Sequence, residues 1–284
     1  MKFAHIKNGR IMAVSEASSS VSLPPASPLV IPVGNSTAIG SSLDYRFYPF
    51  QHLQNVEVEL TTKCNLKCIH CDRRCRQAPS DEEMTISQIE YFASETKRLY
   101  YEWRVIRVLG GEPSMHSNLF KALEILLQLK ANVEVVTNGY GIAENISKQL
   151  PAGIILKNTK KKSPFQKSFV NVDVTMLEKE NVQQIMSCQH VGGCGIGLTR
   201  YGFYPCGPGA SIDRVLGFDI GIKQLALLSP RVVNDQQKVL CQYCGWSTTK
   251  STSPSPKYGE ISMFWERAYQ SYKNQPKVLK LYGH

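Results

Sequence analysis

The sequence predicts an α/β fold built on a parallel sheet, and two observations lead to this prediction. Short β-branched runs alternate with amphipathic stretches from about Tyr45 onward. The first helical stretch begins with a capping box, since Thr85 stands three residues before Gln88. The chain contains no run of eighteen apolar residues, so a membrane span is not expected. Alternation of strand and helix favours a parallel sheet that is either doubly wound or partly closed into a barrel.

Strands and helices of the predicted sheet follow from periodicity. The predicted strands are Val56–Leu60, Val105–Leu109, Val133–Thr137, Ile154–Leu156 and Phe169–Val174. The first helix, capped by Thr85, presents one face made of Ile86, Ile89, Phe92, Thr96 and Leu99. The second is predicted to be capped by Ser117 and to carry Leu119, Phe120, Leu123, Leu126 and Leu127. In either architecture, ligands bind at the carboxyl ends of the strands.

The ends of the chain differ from its centre. Asn8-Gly9 predicts a tight β-hairpin in residues 1–50, followed by an extended arm over 15–42. Residues 51–186 would form the main domain, and 187–250 a small cysteine-rich module that includes the hairpin sequence GIGLTRYGFYPC. Residues 251–284 would hold a helix that packs on the body through Met263, Phe264, Ala268 and Tyr272.

Composition restricts the location and the partners. The formal charge of +10 favours anionic partners, although surplus lysine also keeps proteins soluble. The N-terminal residues lack the apolar stretch of a secretory signal, so the expected compartment is the cytoplasm and no membrane partner is expected. Nine cysteines at short spacings in a reducing compartment indicate metal ligation before disulfides.

Three cysteines follow the first predicted strand in a C-x3-C-x2-C loop. Cys64, Cys68 and Cys71 can bind three irons of a cubane cluster and leave the fourth iron without a protein ligand. An open position on a metal centre admits an exogenous ligand, which indicates catalysis more than electron storage. The alternative is a zinc site that uses His70 as a fourth ligand, but His70 stands directly before Cys71, with little loop to fold it onto the same ion.

At this point the sequence resembles the radical S-adenosylmethionine (SAM) superfamily over about residues 55–246, on the cysteine triad and two further segments. Gly110, Gly111 and Glu112 follow the second strand, where the family's Gly-Gly-Glu segment binds the amino group of SAM. Glycines let the backbone approach a ligand, and a carboxylate can pair with an ammonium group. Asn138, in Thr137–Gly139, matches the family's polar strand end near the cofactor and substrate.

The resemblance implies a partial (β/α)6 TIM-like barrel with a [4Fe–4S] cluster and SAM as cofactors. It departs from the family pattern at two positions. His70 replaces the usual aromatic residue before the third cysteine, and it could still stack on the adenine. The fourth strand ends in Lys157, Asn158 and Thr159 instead of the usual ribose contact, and Asn158 is the expected substitute.

The later cysteines resemble the ligands of a twitch or truncated SPASM module, which holds one auxiliary [4Fe–4S] cluster. Cys206, Cys241 and Cys244 fit this motif best, and Cys188 and Cys194 compete for the fourth position. A structural zinc knuckle is the alternative reading, because cysteine pairing alone does not separate zinc from iron and sulfur.

Two further features allow a functional interpretation. Cys75 is flanked by Arg73, Arg74 and Arg76, which could lower the pKa of its thiol and make it a hydrogen-atom donor. Lys160, Lys161 and Lys162, together with Lys157 and Lys167, form either a solvated loop or a clamp for an anionic substrate.

The resemblance implies that a flavodoxin- or ferredoxin-type reductant supplies one electron, that SAM is cleaved, and that a 5′-deoxyadenosyl radical abstracts hydrogen from a substrate carbon. An auxiliary cluster favours oxidation, cross-linking or epimerisation, with a peptide as the first expected substrate. A small metabolite such as an amino sugar or nucleoside is the second. A zinc-binding, nucleic-acid-binding protein is the alternative of another class, but it leaves the GGE and TNG placements as coincidences, so nucleic acid is not the expected partner.

Overall fold

A computed structural model describes residues 2–7, 10–16, 31–33, 53–68, 71–75, 78, 82–162, 194–244 and 263–284. The strands are β1 (Lys2–Lys7), β2 (Arg10–Glu16), β3 (Ile31–Val33), β4 (Asn55–Thr61), β5 (Val105–Gly110), β6 (Asn132–Thr137), β7 (Ile155–Asn158), β8 (Ile196–Thr199) and β9 (Gly202–Tyr204). The α-helices are α1 (Ile86–Arg98), α2 (Leu119–Leu126), α3 (Gly207–Leu216), α4 (Pro230–Leu240) and α5 (Met263–Asn274).

The N-terminal strands form a sheet of their own in the order β2-β1-β3. β1 and β2 pair antiparallel with Lys7 opposite Arg10, as the Asn8-Gly9 hairpin predicted. Within the extended arm expected over 15–42, the short strand β3 pairs antiparallel with β1.

The main sheet has six strands in the order β7-β6-β5-β4-β8-β9. The first five are parallel, so the predicted α/β class is confirmed. The sheet is not closed, which is consistent with a partial barrel. Four predicted strands lie within one or two residues of β4, β5, β6 and β7. The fifth, Phe169–Val174, lies outside the described residues.

The second predicted hairpin is present, but it belongs to the main sheet. β8 pairs parallel with β4, with Ile196 opposite Val56, and β9 pairs antiparallel with β8. Ile196 and Leu198 are completely buried in the same hydrophobic core as Val56. The apolar face of this hairpin therefore completes the main core, and a cysteine-rich module over 187–250 stays a prediction.

The two helices between the parallel strands behave differently from each other. The capping box of α1 is confirmed, with Thr85 and Gln88 bonded reciprocally. For α2 the expected cap was wrong: Asn118 occupies the N-cap, while the Ser117 hydroxyl donates to the Glu83 carboxylate at 2.6 Å. Phe120, expected on the packed face, is 38% exposed.

Helix α5 packs on the body as predicted through Tyr272 and Ala268, but not through Met263 and Phe264. Trp265, Tyr269 and Tyr272 are buried, whereas Met263 and Phe264 are exposed. The spacing i, i+4, i+7 puts the three buried rings on one stripe, and this stripe buries more aromatic area than the predicted one. None of the helices within the described ranges is long and apolar enough to cross a membrane.

Beneath α5, Asp213 of α3 is fully buried and accepts a hydrogen bond from the Tyr204 hydroxyl at 2.6 Å. Burial raises the pKa of Asp213 from 3.8 to about 6. The folded state therefore binds this proton more tightly than the unfolded state, so the stability contribution of Asp213 falls as the pH rises from about 4 to about 6. The loss amounts to about 3 kcal/mol.

We therefore expect Asp213→Asn to be more stable than the wild type at pH 7, by up to about 3 kcal/mol, with little difference near pH 4. Asparagine keeps an acceptor for Tyr204 without a buried charge. Thermal unfolding of both proteins across this pH range measures the difference. A stability difference that does not change with pH would contradict the prediction.

Candidate active site

The cysteine loop begins where β4 ends, at the carboxyl edge of the parallel sheet. Cys64, Cys68 and Cys71 are all partly buried. The Cys64 thiol accepts a hydrogen bond from the Leu66 amide at 3.4 Å. Burial, followed by the neighbouring Cys71 and Cys68 thiols and Glu112, raises the pKa of Cys64 to about 12. The three thiols therefore share one desolvated environment.

Three thiolates are a donor set that fits an iron–sulfur cluster, and a zinc site completed by His70 stays the alternative. Within the part of the chain that the structure describes, no three cysteine, histidine or carboxylate side chains are arranged to hold one metal ion. In a cubane cluster each cysteine binds a different iron, so the three sulfurs need not surround one point. A zinc site requires such convergence of its ligands. His70, the residue expected to contact adenine or to complete a zinc site, lies outside the described residues.

The Gly-Gly-Glu segment packs directly on the start of the cysteine loop. The Gly111 and Glu112 amides donate to the carbonyl oxygens of Thr61 and Lys63 at 2.7 and 2.8 Å. A Cβ atom on Gly111 would lie 2.1 Å from the Lys63 oxygen, and Gly110 adopts φ +141°. These glycines were expected to permit approach of a ligand, and in the structure they permit approach of the cysteine loop.

The Glu112 carboxylate connects two strand ends. It is completely buried, and its oxygens accept hydrogen bonds from the Thr137 hydroxyl and the Asn138 amide, both at 2.8 Å. The amide and hydroxyl of Ser114 also donate to it, at 3.2 and 3.0 Å. Glu112 thus lies beside the Thr137–Gly139 segment, as expected, and its use as a ligand for the SAM amino group stays a prediction.

Asn65 joins the cysteine loop to the end of β6, a role the sequence analysis missed. Its side-chain amide donates to the Tyr140 carbonyl at 2.6 Å, and its oxygen accepts from the Asn138 side chain at 2.8 Å. The Asn138 oxygen in turn accepts from the Tyr140 amide at 2.8 Å. Asn138 is therefore close to the cysteine loop and is engaged with it. The sequence signal for this role is a polar residue, Asn65, between the predicted ligands Cys64 and Cys68.

Asn158 lies at the end of β7, next to the end of β6. Its side-chain oxygen accepts from the Lys160 amide at 2.8 Å, and its side chain fills the space where Gly139 lacks a Cβ. Lys157 contacts Glu134 at 3.7 Å and is half exposed. The parallel sheet therefore places Asn158 on the same edge as the cysteine loop, and its contact to SAM remains a prediction.

The segment after the third cysteine is buried. Its arginines were expected to lower the pKa of Cys75, and the structure contradicts this. Arg73 pairs with Glu57 of β4, and Arg74 stacks 4.6 Å from the Trp265 ring centre. A hydrogen bond to Cys71 and burial raise the pKa of Cys75 well above its usual value. The expectation that arginines lower this pKa was wrong, because the Arg73 and Arg74 side chains point to other partners.

A row of alternating charges lies on one face of the sheet, across β4, β5 and β6. Arg107 pairs with Glu57 at 3.2 Å and with Glu134 at 3.0 Å. These three residues are direct neighbours in the strand register. The alternation VEVEL suggests a solvated face, but here the charges pair with one another, with Glu57 buried and Arg107 and Glu134 partly buried. The sequence signal for this arrangement is one charged residue at the same register position of each of the three strands.

The later cysteines lie near the opposite end of β8 from the cysteine loop. Cys206 is the N-cap of α3, and its sulfur accepts from the Gly209 amide at 3.4 Å. Cys241 and Cys244 follow the end of α4. Continuing the β8–β9 register beyond Tyr204 brings Cys206 level with Gly195, next to Cys194. Cys188 lies outside the described residues.

Comparisons with known proteins identify a domain. Residues 58–186 match the radical SAM superfamily model, somewhat less than half of the chain. The GTP 3′,8-cyclase of Haemophilus influenzae (strain PittGG) is 24% identical over 203 residues, which cover 70% of this chain and 51% of that protein. A probable GTP 3′,8-cyclase of Methanocaldococcus jannaschii is 25% identical over 101 residues, or 35% of this chain and 33% of that protein. The chain thus spans about half or less of the length of these two relatives.

Two solved structures are similar to a lower degree. BtrN in complex with AdoMet and 2-DOIA has a TM-score of 0.44 and 14% identity, covering 74% of this chain and 98% of that chain. Streptococcus suis SuiB bound to the precursor peptide SuiA has a TM-score of 0.29 and 19% identity, covering 37% of this chain and 24% of that chain.

Proposed function

We propose that the radical SAM domain at residues 58–186 of this chain cleaves SAM reductively, so that a 5′-deoxyadenosyl radical removes hydrogen from a substrate carbon. The cofactors of such a domain are a [4Fe–4S] cluster and SAM. The observation that carries the proposal is the joining of three loops at the carboxyl edge of the sheet. Asn65 and Glu112 bond the cysteine loop, the Gly-Gly-Glu segment and the end of β6 to one another.

The residues of the chain have separate tasks in this proposal. Cys64, Cys68 and Cys71 hold the cluster, which when bound supplies the electron that breaks a carbon–sulfur bond of SAM. The other candidate residues bind and orient SAM: His70, Gly110, Gly111, Glu112, Asn138 and Asn158. Burial of the thiols and of Glu112 limits access of water, which favours a reactive radical over its side reactions.

An anaerobic assay tests the proposal. The full chain, reconstituted with iron and sulfide, should be brown with broad visible absorption, and it should release 5′-deoxyadenosine when SAM and dithionite are supplied. A colourless protein that retains zinc would support the nucleic-acid-binding alternative. A brown protein that releases no 5′-deoxyadenosine would be an electron carrier. Either result would refute the proposed activity.

An auxiliary [4Fe–4S] cluster bound through Cys194, Cys206, Cys241 and Cys244 is the finer part of the proposal. The register of the β8–β9 hairpin, continued beyond Tyr204, places Cys206 opposite Gly195, the neighbour of Cys194. This favours Cys194 over Cys188 as the fourth ligand. A Cβ on Gly209 would touch both the Cys206 sulfur, at 3.5 Å, and Leu240, at 3.4 Å, so the end of α4 is near Cys206. Iron content per chain in Cys194→Ser and Cys188→Ser variants decides between the two cysteines.

Two substrate classes follow from different observations. An auxiliary cluster can accept an electron from a substrate radical, which supports oxidation, cross-linking or epimerisation of a peptide, an oxidoreductase reaction. The relatives named GTP 3′,8-cyclase favour a nucleotide instead, and the charge of +10 suits its phosphates. We propose the peptide first and the nucleotide second. Release of 5′-deoxyadenosine stimulated by GTP, with mass spectrometry of the products, would reverse this order.

The proposed electron donor is a flavodoxin- or ferredoxin-type protein, and the proposed compartment is the cytoplasm. The partly buried thiols of the cysteine loop need a reducing compartment to stay available for iron. Replacing dithionite by reduced flavodoxin in the same assay tests the donor.

A further inference from the structure

Arg74 is a buried cation with an unusual balance of contacts. Its side chain is 2% exposed, and its backbone adopts φ +52°, which residues other than glycine seldom do. The guanidinium lies 4.6 Å from the ring centre of Trp265 and donates to the Tyr269 hydroxyl at 2.7 Å. Two of its nitrogens, Nε and Nη2, have no hydrogen-bond partner within the described part of the chain.

Three other arginines of this region each pair with two or more carboxylates. Arg73 pairs with Glu57, Glu59 and Asp72, Arg107 with Glu57 and Glu134, and Arg214 with Glu59 and Glu82. Among the described residues, Arg74 has no carboxylate within 4.0 Å. An aromatic face and a neutral hydroxyl offset part of the desolvation of a buried cation, but they carry no net charge. Arg74 is thus a buried cation that lies outside the ion pairs formed by the three other arginines.

The position of this charge indicates which group it acts on. The Arg74 amide donates to the Cys71 carbonyl at 3.0 Å, so Arg74 lies one turn beyond the third cysteine of the loop. On its other side, Trp265 and Tyr269 share a hydrophobic cluster with Cys244. Arg74 thus lies between the two groups of cysteines that are proposed to bind iron–sulfur clusters. A cubane bound by thiolates is anionic and becomes more anionic on reduction.

We propose that Arg74 is a positioning residue whose buried positive charge compensates the cluster at Cys64, Cys68 and Cys71 and favours its reduction. This inference rests on the proposed function. A unit charge about 10 Å away, at an effective dielectric constant of about 20, changes the equilibrium constant of a one-electron reduction about tenfold. Positive charge favours the reduced state, so Arg74 raises the reduction potential of this cluster.

The test is an anaerobic redox titration of the full chain, followed by electron paramagnetic resonance, on the cluster whose spectrum changes when SAM is added. Arg74→Gln should lower the equilibrium constant of reduction about tenfold, equivalent to about 59 mV. Arg74→Lys keeps the charge, so its equilibrium constant of reduction should stay within about twofold of the wild-type value. Arg98→Gln, on the exposed end of α1, removes the same charge far from the site and should have no effect.

Three results would overturn the inference: an unchanged potential in Arg74→Gln, a shift in Arg74→Lys as large as that of Arg74→Gln, or an equal shift in Arg98→Gln. If Arg74→Gln takes up no cluster, Arg74→Lys decides. An equilibrium constant of reduction within about twofold of the wild-type value supports the role of charge, and a larger change refutes it. A wild-type protein without any iron–sulfur cluster would instead refute the proposed function, so the two failures are distinguishable.

Discussion

Replacing Cys64 by serine is expected to reduce the release of 5′-deoxyadenosine to background, a loss of about 10³-fold or more. Substitutions of residues that only support metal ligands cost about 10- to 100-fold, and a direct ligand of the cluster should cost more. The same loss is expected for Cys68→Ser and Cys71→Ser. The measurement is 5′-deoxyadenosine per chain under dithionite, together with iron content and the visible spectrum.

Cys75→Ser is the matched control, because it removes a thiol from the same loop. The structure places Cys75 in hydrogen-bonding contact with Cys71, and the pKa of Cys75 is raised, which keeps its thiol protonated. We therefore expect Cys75→Ser to keep its iron and to retain activity within a few-fold of the wild type. An inactive Cys75→Ser beside an active Cys64→Ser would contradict the assignment of the ligands.

The main elements of the fold were accessible from the sequence because they depend on local patterns. Capping by Thr85, the alternation in the strands and the spacing of the three cysteines are properties of short segments. A parallel sheet brings the ends of its strands together, so the proximity of Glu112, Asn138 and the cysteine loop followed from topology alone. This part of the candidate site could be predicted.

The interior charges could not be predicted, since they depend on partners far away in the sequence. Glu59 is buried only because Arg214, 155 residues later, reaches it at 2.9 Å. The same reason explains the error at Cys75: flanking arginines in the sequence suggested a positive environment, while tertiary pairing turned Arg73 toward Glu57. The pairing of β8 with β4 could not be predicted for a related reason, because nothing local in IGLT indicates that its neighbour is β4.

The glycines of the Gly-Gly-Glu segment lead to the second large prediction. Gly111→Ala should lower both cluster content and 5′-deoxyadenosine release about 100-fold. An added Cβ would lie 2.1 Å from the Lys63 oxygen and 2.7 Å from the Lys63 carbonyl carbon, both of which are backbone atoms that cannot rotate away. The segment must move away from the cysteine loop, which breaks the hydrogen bonds from the Gly111 and Glu112 amides. Overpacking and two lost hydrogen bonds cost about 3 kcal/mol together.

Gly141→Ala separates this steric effect from backbone strain. Gly141 has φ +60°, and a Cβ there would meet only the Asn65 amide nitrogen, at 3.7 Å. Alanine at this position is strained by about 1 kcal/mol but displaces nothing, so cluster content should stay near the wild-type value. If Gly111→Ala loaded its cluster as well as Gly141→Ala, the direct packing of the Gly-Gly-Glu segment on the cysteine loop would not be what holds the site together. A loss confined to Gly111→Ala, with thermal unfolding of both variants measured in parallel, would assign to Gly111 the contact that brings Glu112 and the three thiols to one edge of the sheet.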